Sequence, residues 1–141
     1  MRVPADRRIV MAIDPGRCKC GVAVVAGGTE IEVLHRAVVQ AEAVREAMAD
    51  LSARYAPEVI LRGNGTTAAG VAKTAQELGL RVEFVDERLT SMEARRRYFR
   101  ENPPRGLRRL IPASLQTPPE PYDDYVAVIL AERYLTKRFG I

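Results

Sequence analysis

The chain has 141 residues, of which 47% are hydrophobic and 28% charged, with a formal net charge of +4 and two cysteines. That length predicts one domain spanning 1–141, with room for a real core and none for a second. The longest apolar run, Val126 to Ala131, is far too short for a membrane span, and five apolar residues after the basic start are too few for a secretory signal, so a cytoplasmic setting is expected.

Arg7 to Asp14 reads as a strand with a continuous apolar run, the pattern of a central strand covered on both faces. Cys20 to Gly28 reads as its neighbour, with Gly27-Gly28 as a hairpin turn into Thr29–Val39, which alternates with period two. In Ala41–Ala56, Val44, Met48, Leu51 and Tyr55 recur at helical spacing. After Pro57, Glu58–Gly65 reads as a short strand. A helix from about Thr67 to Leu78 should stop at Gly79, and Arg81–Glu87 forms the fifth strand. Thr90-Ser91-Met92-Glu93 has the capping-box pattern that starts a helix, and Pro103-Pro104 ends it. A proline-rich loop precedes a last helix from about Asp123 to Arg138. The order βββαβαβα predicts an α/β fold. It should be a five-stranded mixed sheet with helices on both faces, the first strand and the fourth or fifth lying centrally.

Three acids stand where these elements begin or end: Asp14 closes the first strand, Glu87 the fifth, and Asp123 with Asp124 opens the last helix. The carboxyl end of a central strand is where ligand sites form in such sheets. On the last helix, Asp123, Val126, Ala127, Leu130 and Tyr134 share a face. If that face packs on the sheet, Asp123 points to the strand ends and Asp124 more toward solvent. Clustered carboxylates repel unless cations compensate, and hard oxygen donors suit Mg²⁺ or Mn²⁺. Two such ions can drive phosphodiester hydrolysis. Asp14, Glu87 and Asp123 are therefore the candidate catalytic and metal-holding residues, with Asp124 as a substitute. The competing reading is local: Asp123-Asp124 as a helix cap, Asp-Pro-Gly as a turn, and Glu87 paired with Arg88. Cys18 and Cys20 lack a second Cys/His cluster, so reduced thiols are expected, and the single His35 excludes a His-rich metal site.

Positive charge is local. Arg88 to Arg109 holds eight arginines against Glu93 and Glu101, while the rest of the chain carries 14 basic and 16 acidic groups. Arg88, Arg95, Arg96, Arg97, Arg100, Arg105, Arg108 and Arg109, with Arg17 and Lys19 near Asp14, are the expected nucleic-acid contacts. Tyr98 and Phe99 are the expected stacking partners for unpaired bases. Gly63 to Thr67, GNGTT, offers either backbone donors to a phosphate or an ordinary capped turn.

Three segments together resemble the YqgF/RuvX family of ribonuclease H-like fold: AIDPGRCKCGVAVV, VDERLTSMEAR and YDDYVAVILAERYL. The resemblance implies a metal-dependent endonuclease with Asp14, Glu87 and Asp123 as its acids. Members of that family are described as Holliday-junction resolvases and as nucleases that mature the 5′ end of 16S ribosomal RNA. Where the family has Gly-Leu-Pro after the fourth strand, this chain has LRGNGTTAAG, which resembles the YqgF-like domain of the transcription accessory protein Tex. Asp-Pro-Gly resembles the RuvC resolvases. Structured DNA or RNA is thus the expected partner, with a homodimer if the substrate is a symmetric junction. The alternatives are a non-catalytic nucleic-acid-binding module and a relative of the actin-like ATPases, the latter disfavoured because a second domain must close their cleft.

Overall fold

The first strand, β1 (Arg8–Asp14), carries four residues, Val10 to Ile13, with no exposed surface at all. Alternate side chains feed two separate cores: Val10 and Ala12 one, Met11 and Ile13 the other. This is what a continuous apolar run achieves when both faces of a sheet are covered. The computed structural model describes residues 7–16, 18–63, 68–85, 90–104, 106–111, 118 and 122–139.

β1 lies between β2 (Lys19–Gly27), antiparallel to it, and β4 (Val59–Arg62), parallel to it. β3 (Ile31–Gln40) pairs antiparallel with β2, with a bulge opposite Val24/Val25, and β5 (Arg81–Phe84) pairs parallel with β4. The sheet order is β3-β2-β1-β4-β5. Of the fourth and fifth strands it is therefore β4 that lies inside, and the four-residue β5 forms an edge. The expected continuation of that strand through Asp86 and Glu87 falls outside the described residues, as do Asn64 to Thr67 and most of the proline-rich segment.

Helix α1 (Val44–Tyr55) follows a 3-10 turn over Ala41–Ala43 and buries Met48 and Leu51 beneath the Met11/Ile13 face. It stops at Ala56, whose φ of 49° closes the last turn by donating to the Ser52 carbonyl, 2.9 Å, just before Pro57. Helix α2 (Ala68–Glu77) covers the same face with Val71 and Ala75, and ends toward Gly79, which takes the left-handed φ of 73° that only glycine adopts freely. Helix α3 (Thr90–Glu101) ends before the paired prolines, and Gly106–Leu110 forms a short 3-10 turn within the segment expected as loop.

The last helix, α4 (Asp123–Phe139), covers the other face of the sheet. Ala127, Leu130, Ala131 and Leu135 pack on the strands, whereas Tyr125, Val126 and Ile129 pack on Ala94, Tyr98 and Phe99 of α3. Val126 thus faces α3 and not the sheet as expected. A helix covered on two sides is apolar nearly all round, which accounts for the unbroken run from Val126 to Ala131. The layers run α1 and α2, sheet, α4, α3. Among the described residues no helix is long and apolar enough to cross a membrane.

Candidate active site at the carboxyl end of the first strand

Strand alternation fixes the face on which Asp14 stands. Val10 and Ala12 point to the α4 side, so Asp14, two residues on, belongs to that side as well. Its register partner on β2 is Gly21. A Cβ added at Gly21 would lie 1.9 Å from the Asp123 carbonyl oxygen, 2.2 Å from its carbon and 2.8 Å from the Asp124 nitrogen. The first turn of α4 therefore rests on the bare backbone of Gly21, where any side chain would block it. Cross-strand partners stand about 5 Å apart, so this contact brings the start of α4 beside Asp14 from the far end of the chain. The turn after Asp14 is equally tight: a Cβ at Gly16 would sit 2.3 Å from the Lys19 carbonyl oxygen. Pro15 is buried there.

The paired acids of α4 have different surroundings. Asp124 does not point to solvent as expected. Its side chain is 14% exposed, and its Oδ2 accepts from Arg36 Nε of β3 at 3.1 Å. Its Oδ1 accepts the Tyr125 backbone N–H at 3.0 Å. Burial pushes the Asp124 carboxyl above the usual range, with Arg36 pulling the other way. The Arg36 guanidinium also donates to Glu101 Oε2 of α3 at 3.2 Å and lies 4.2 Å from the centroid of the Tyr125 ring. The Tyr125 hydroxyl closes the network by donating to Glu101 Oε2 at 2.5 Å. Asp124 thus ties the helix start to β3. Asp123 is the acid whose backbone sits on Gly21, next to Asp14.

The Tyr125 hydroxyl holds the Glu101 carboxyl below its ordinary value, with Arg36 helping and partial burial opposing. An acid with a lowered folded pKa stabilises the fold above the ordinary carboxylate range, and that contribution disappears as pH falls through the lowered value. Tyr125→Phe is therefore expected to cost about 1 kcal/mol at pH 7, discounted because Glu101 is half-exposed. The difference in melting temperature from wild type should shrink as pH falls below the ordinary carboxylate range. Thermal melts at several pH values check both the size and the sign.

The expected nucleic-acid contacts separate into several groups. Lys19, Arg96 and Arg100 are exposed, and Arg95 is half-buried. Arg97 is paired with Glu132 of α4 at 2.5 Å. Arg17, Arg88 and Arg105 lie outside the described residues, as do the side chains of Arg108 and Arg109 on the 3-10 turn. Tyr98 and Phe99 are not stacking platforms. Both are 8% exposed, edge-to-face at 5.3 Å, and locked into the α3–α4 core. Helical spacing on an arginine-rich segment does not fix which side of α3 is covered, and α4 covers theirs. Among the described residues the large exposed aromatic ring is instead Phe84, 53% exposed at the end of β5. Its alternating context in RVEF shows a strand residue, and only the strand order shows that this strand is an edge.

The donor set suits a hard divalent ion. Asp14 stands on the α4 side of the sheet and the Asp123 backbone reaches Gly21 beside it, so the acids at this end are hard oxygen donors, while soft and nitrogen donors lie elsewhere. Cys20 is buried in register with Val22 and Val24 of the opposite core, and Cys18 is exposed; both are free thiols. His35 is paired with Val24 and tilted against Tyr55 of α1 at 6.5 Å, where burial and Arg54 lower its pKa. Among the described residues there is no group of three or more His, Cys, Asp or Glu poised for a metal, and Glu87 is outside them.

This architecture is the ribonuclease H-like fold, an α/β arrangement with a five-stranded mixed sheet. The chain is similar to the RuvC of Thermus thermophilus in complex with Holliday junction substrate, with a TM-score of 0.64 and 20% identity over 94% of this chain and 96% of that one. A second Thermus thermophilus RuvC structure matches with a TM-score of 0.56 and 18% identity, over 93% of this chain and 97% of that one. No protein family matches the chain by sequence, and no curated protein matches it.

Proposed function

We propose that this chain is a metal-dependent endonuclease that hydrolyses phosphodiester bonds in structured nucleic acid, with a four-way DNA junction as the favoured substrate. The observation that carries the reading is the seating of α4 on Gly21, which sets Asp123 beside Asp14 although the two are at opposite ends of the chain. A local turn or a helix cap requires no such convergence. The likeness to a RuvC bound to Holliday junction substrate supports the choice of substrate.

In this reading Asp14, Glu87 and Asp123 would hold two Mg²⁺ or Mn²⁺ ions. Glu87 stands two residues past Val85, whose side chain belongs to the same α4-side core as Val10 and Ala12. Bound ions of this kind supply an activated water and stabilise the leaving oxygen. Asp124, clamped by Arg36, keeps the first turn of α4 in place, so that Asp123 presents its carboxylate without searching for a position. Lys19, Arg96 and Arg100, exposed on the surface, bind the phosphate backbone. On a symmetric junction two matched cuts require a two-fold dimer of the chain.

The test is cleavage by the purified chain of a four-way DNA junction, a DNA duplex and a precursor-rRNA fragment, with Mg²⁺, with Mn²⁺ and with EDTA. Paired nicks in the junction that vanish with EDTA are expected. Preferential cutting of the rRNA fragment would move the reading to RNA processing. Binding without cleavage under all conditions would overturn it in favour of a nucleic-acid-binding module.

A further inference from the structure

Between α3 and α4 the chain makes a long excursion that starts and finishes at one place. Glu101, the last residue of α3, accepts from the Tyr125 hydroxyl at 2.5 Å. Tyr122, on the way back, packs against the α3–α4 cluster, and its carbonyl accepts the Tyr125 N–H at 3.0 Å. Residues 102–121 are therefore rooted on both sides at Tyr125, next to the first turn of α4 and its seat on Gly21. Leu107 stands six residues beyond Glu101, so at most about 20 Å of chain separates it from that root.

On this excursion the 3-10 turn Gly106–Leu110 holds large apolar side chains out to solvent. Leu107 is 83% exposed and Leu110 75%, more than any other large apolar residue described, and Ile111 follows at 46%. Residues three apart eclipse one another in a 3-10 turn, so Leu107 and Leu110 form one ridge. Among the described residues neither belongs to a buried cluster. Exposed aliphatic side chains gathered on one short turn mark a contact surface. The charge around them selects the partner. Arg105, Arg108 and Arg109 accompany the ridge in the sequence, and no Asp or Glu stands between Glu101 and Glu120. The complementary partner is anionic outside and apolar within, as stacked bases are inside a phosphate backbone. Three side chains fall well short of the about 800 Å² per partner that a stable protein interface buries, which argues against a second copy of the chain as the occupant.

We propose that Leu107 and Leu110 form a wedge that enters the base stack of a nucleic acid lying over Asp14 and the start of α4. Apolar side chains such as Leu, Ile and Met pry base steps apart in this way while basic residues hold the neighbouring backbone. The proposal rests on the nuclease reading for its context. It deepens that reading by assigning the enzyme a substrate whose stack is already interrupted, as at a branch point, because such a step costs less to open than one inside a continuous duplex.

The experiment follows the fluorescence of 2-aminopurine placed at the branch point of a four-way DNA junction, which brightens when the base is unstacked. The full chain carries Asp14→Asn, so that no cleavage intervenes. Binding should raise the signal several-fold, and adding Leu107→Ser with Leu110→Ser should abolish the rise. Leu107→Met with Leu110→Met should restore it. The slope of log affinity against log salt should stay the same in every variant, because no charge is removed. Both leucines are exposed, so the thermal melt should also stay the same, and it is recorded for each variant. No rise with the leucines in place, or a rise that survives both serines, overturns the wedge. So does a change from dimer to monomer on the serine substitutions, which would assign the ridge to a second copy. Flotation with phosphatidylserine vesicles that depends on the two leucines would assign it to a lipid surface and overturn the wedge as well. The nuclease reading is judged separately by wild-type cleavage: junction cutting with no brightening sinks only the wedge. Leucine-dependent brightening with no cutting sinks only the nuclease.

Discussion

Asp14→Asn is expected to reduce divalent-dependent cleavage about 10³-fold or more while leaving nucleic-acid binding intact. The substitution keeps the shape of the side chain and removes its charge, so the fold has little reason to change. Asp14 is only half-buried, at the end of a strand whose core residues are Val10 to Ile13. Under the proposed reading it removes an anion that would hold the divalent ions, and a loss of several kcal/mol of transition-state stabilisation corresponds to about three powers of ten in rate. Binding should persist or tighten, because one negative charge facing the phosphate is gone. Single-turnover cleavage, with affinity measured in parallel, separates the two effects. An Asp14→Asn protein that cuts at the wild-type rate would remove Asp14 from the chemistry.

Gly21→Ala should cost about 10²-fold in the same assay without altering any charged group. The added methyl would stand 1.9 Å from the Asp123 carbonyl oxygen and 2.2 Å from its carbon. Both are backbone atoms, so no side-chain rotation relieves the clash. The helix start must retreat by roughly an ångström, and a misplacement of that size at catalytic groups costs about 10²-fold in rate. The overpacking itself should lower stability by about 1–3 kcal/mol, read from urea unfolding. Gly28→Ala is the control, since a Cβ there meets nothing closer than Arg7 Cα at 3.9 Å. If Gly21→Ala retains full activity, the packing of α4 on β2 does not govern the site.

The two substitutions probe different links in the chain from sequence to function: the first the chemistry of a side chain, the second the geometry that brings side chains together. Arg36 belongs to the second kind. In the sequence a lone arginine in an alternating strand reads as a solvated residue. Its role appears only when β3, α3 and α4 converge, and it then binds Asp124, Glu101 and the Tyr125 ring at once. No local signal could have found it.

Periodicity and punctuation by themselves determined much of this protein. The unbroken apolar run before Asp14 required a strand covered on both faces, the spacing of Val44, Met48, Leu51 and Tyr55 required the helix that packs beneath it, and Gly79 and Pro103-Pro104 required helix ends. These follow because the pleat and the helical turn tie side-chain direction to position, and backbone sterics act within a few residues. Tertiary structure alone decided which buried face meets which partner. That Tyr98 and Phe99 are core, that Asp124 serves an arginine while Asp123 lies beside Asp14, and that β5 is an edge bearing an exposed Phe84 all depend on the order of strands and the seating of α4. Burial is written in local spacing, but the identity of the neighbour is set by contacts between segments far apart in the chain, on which local spacing is silent.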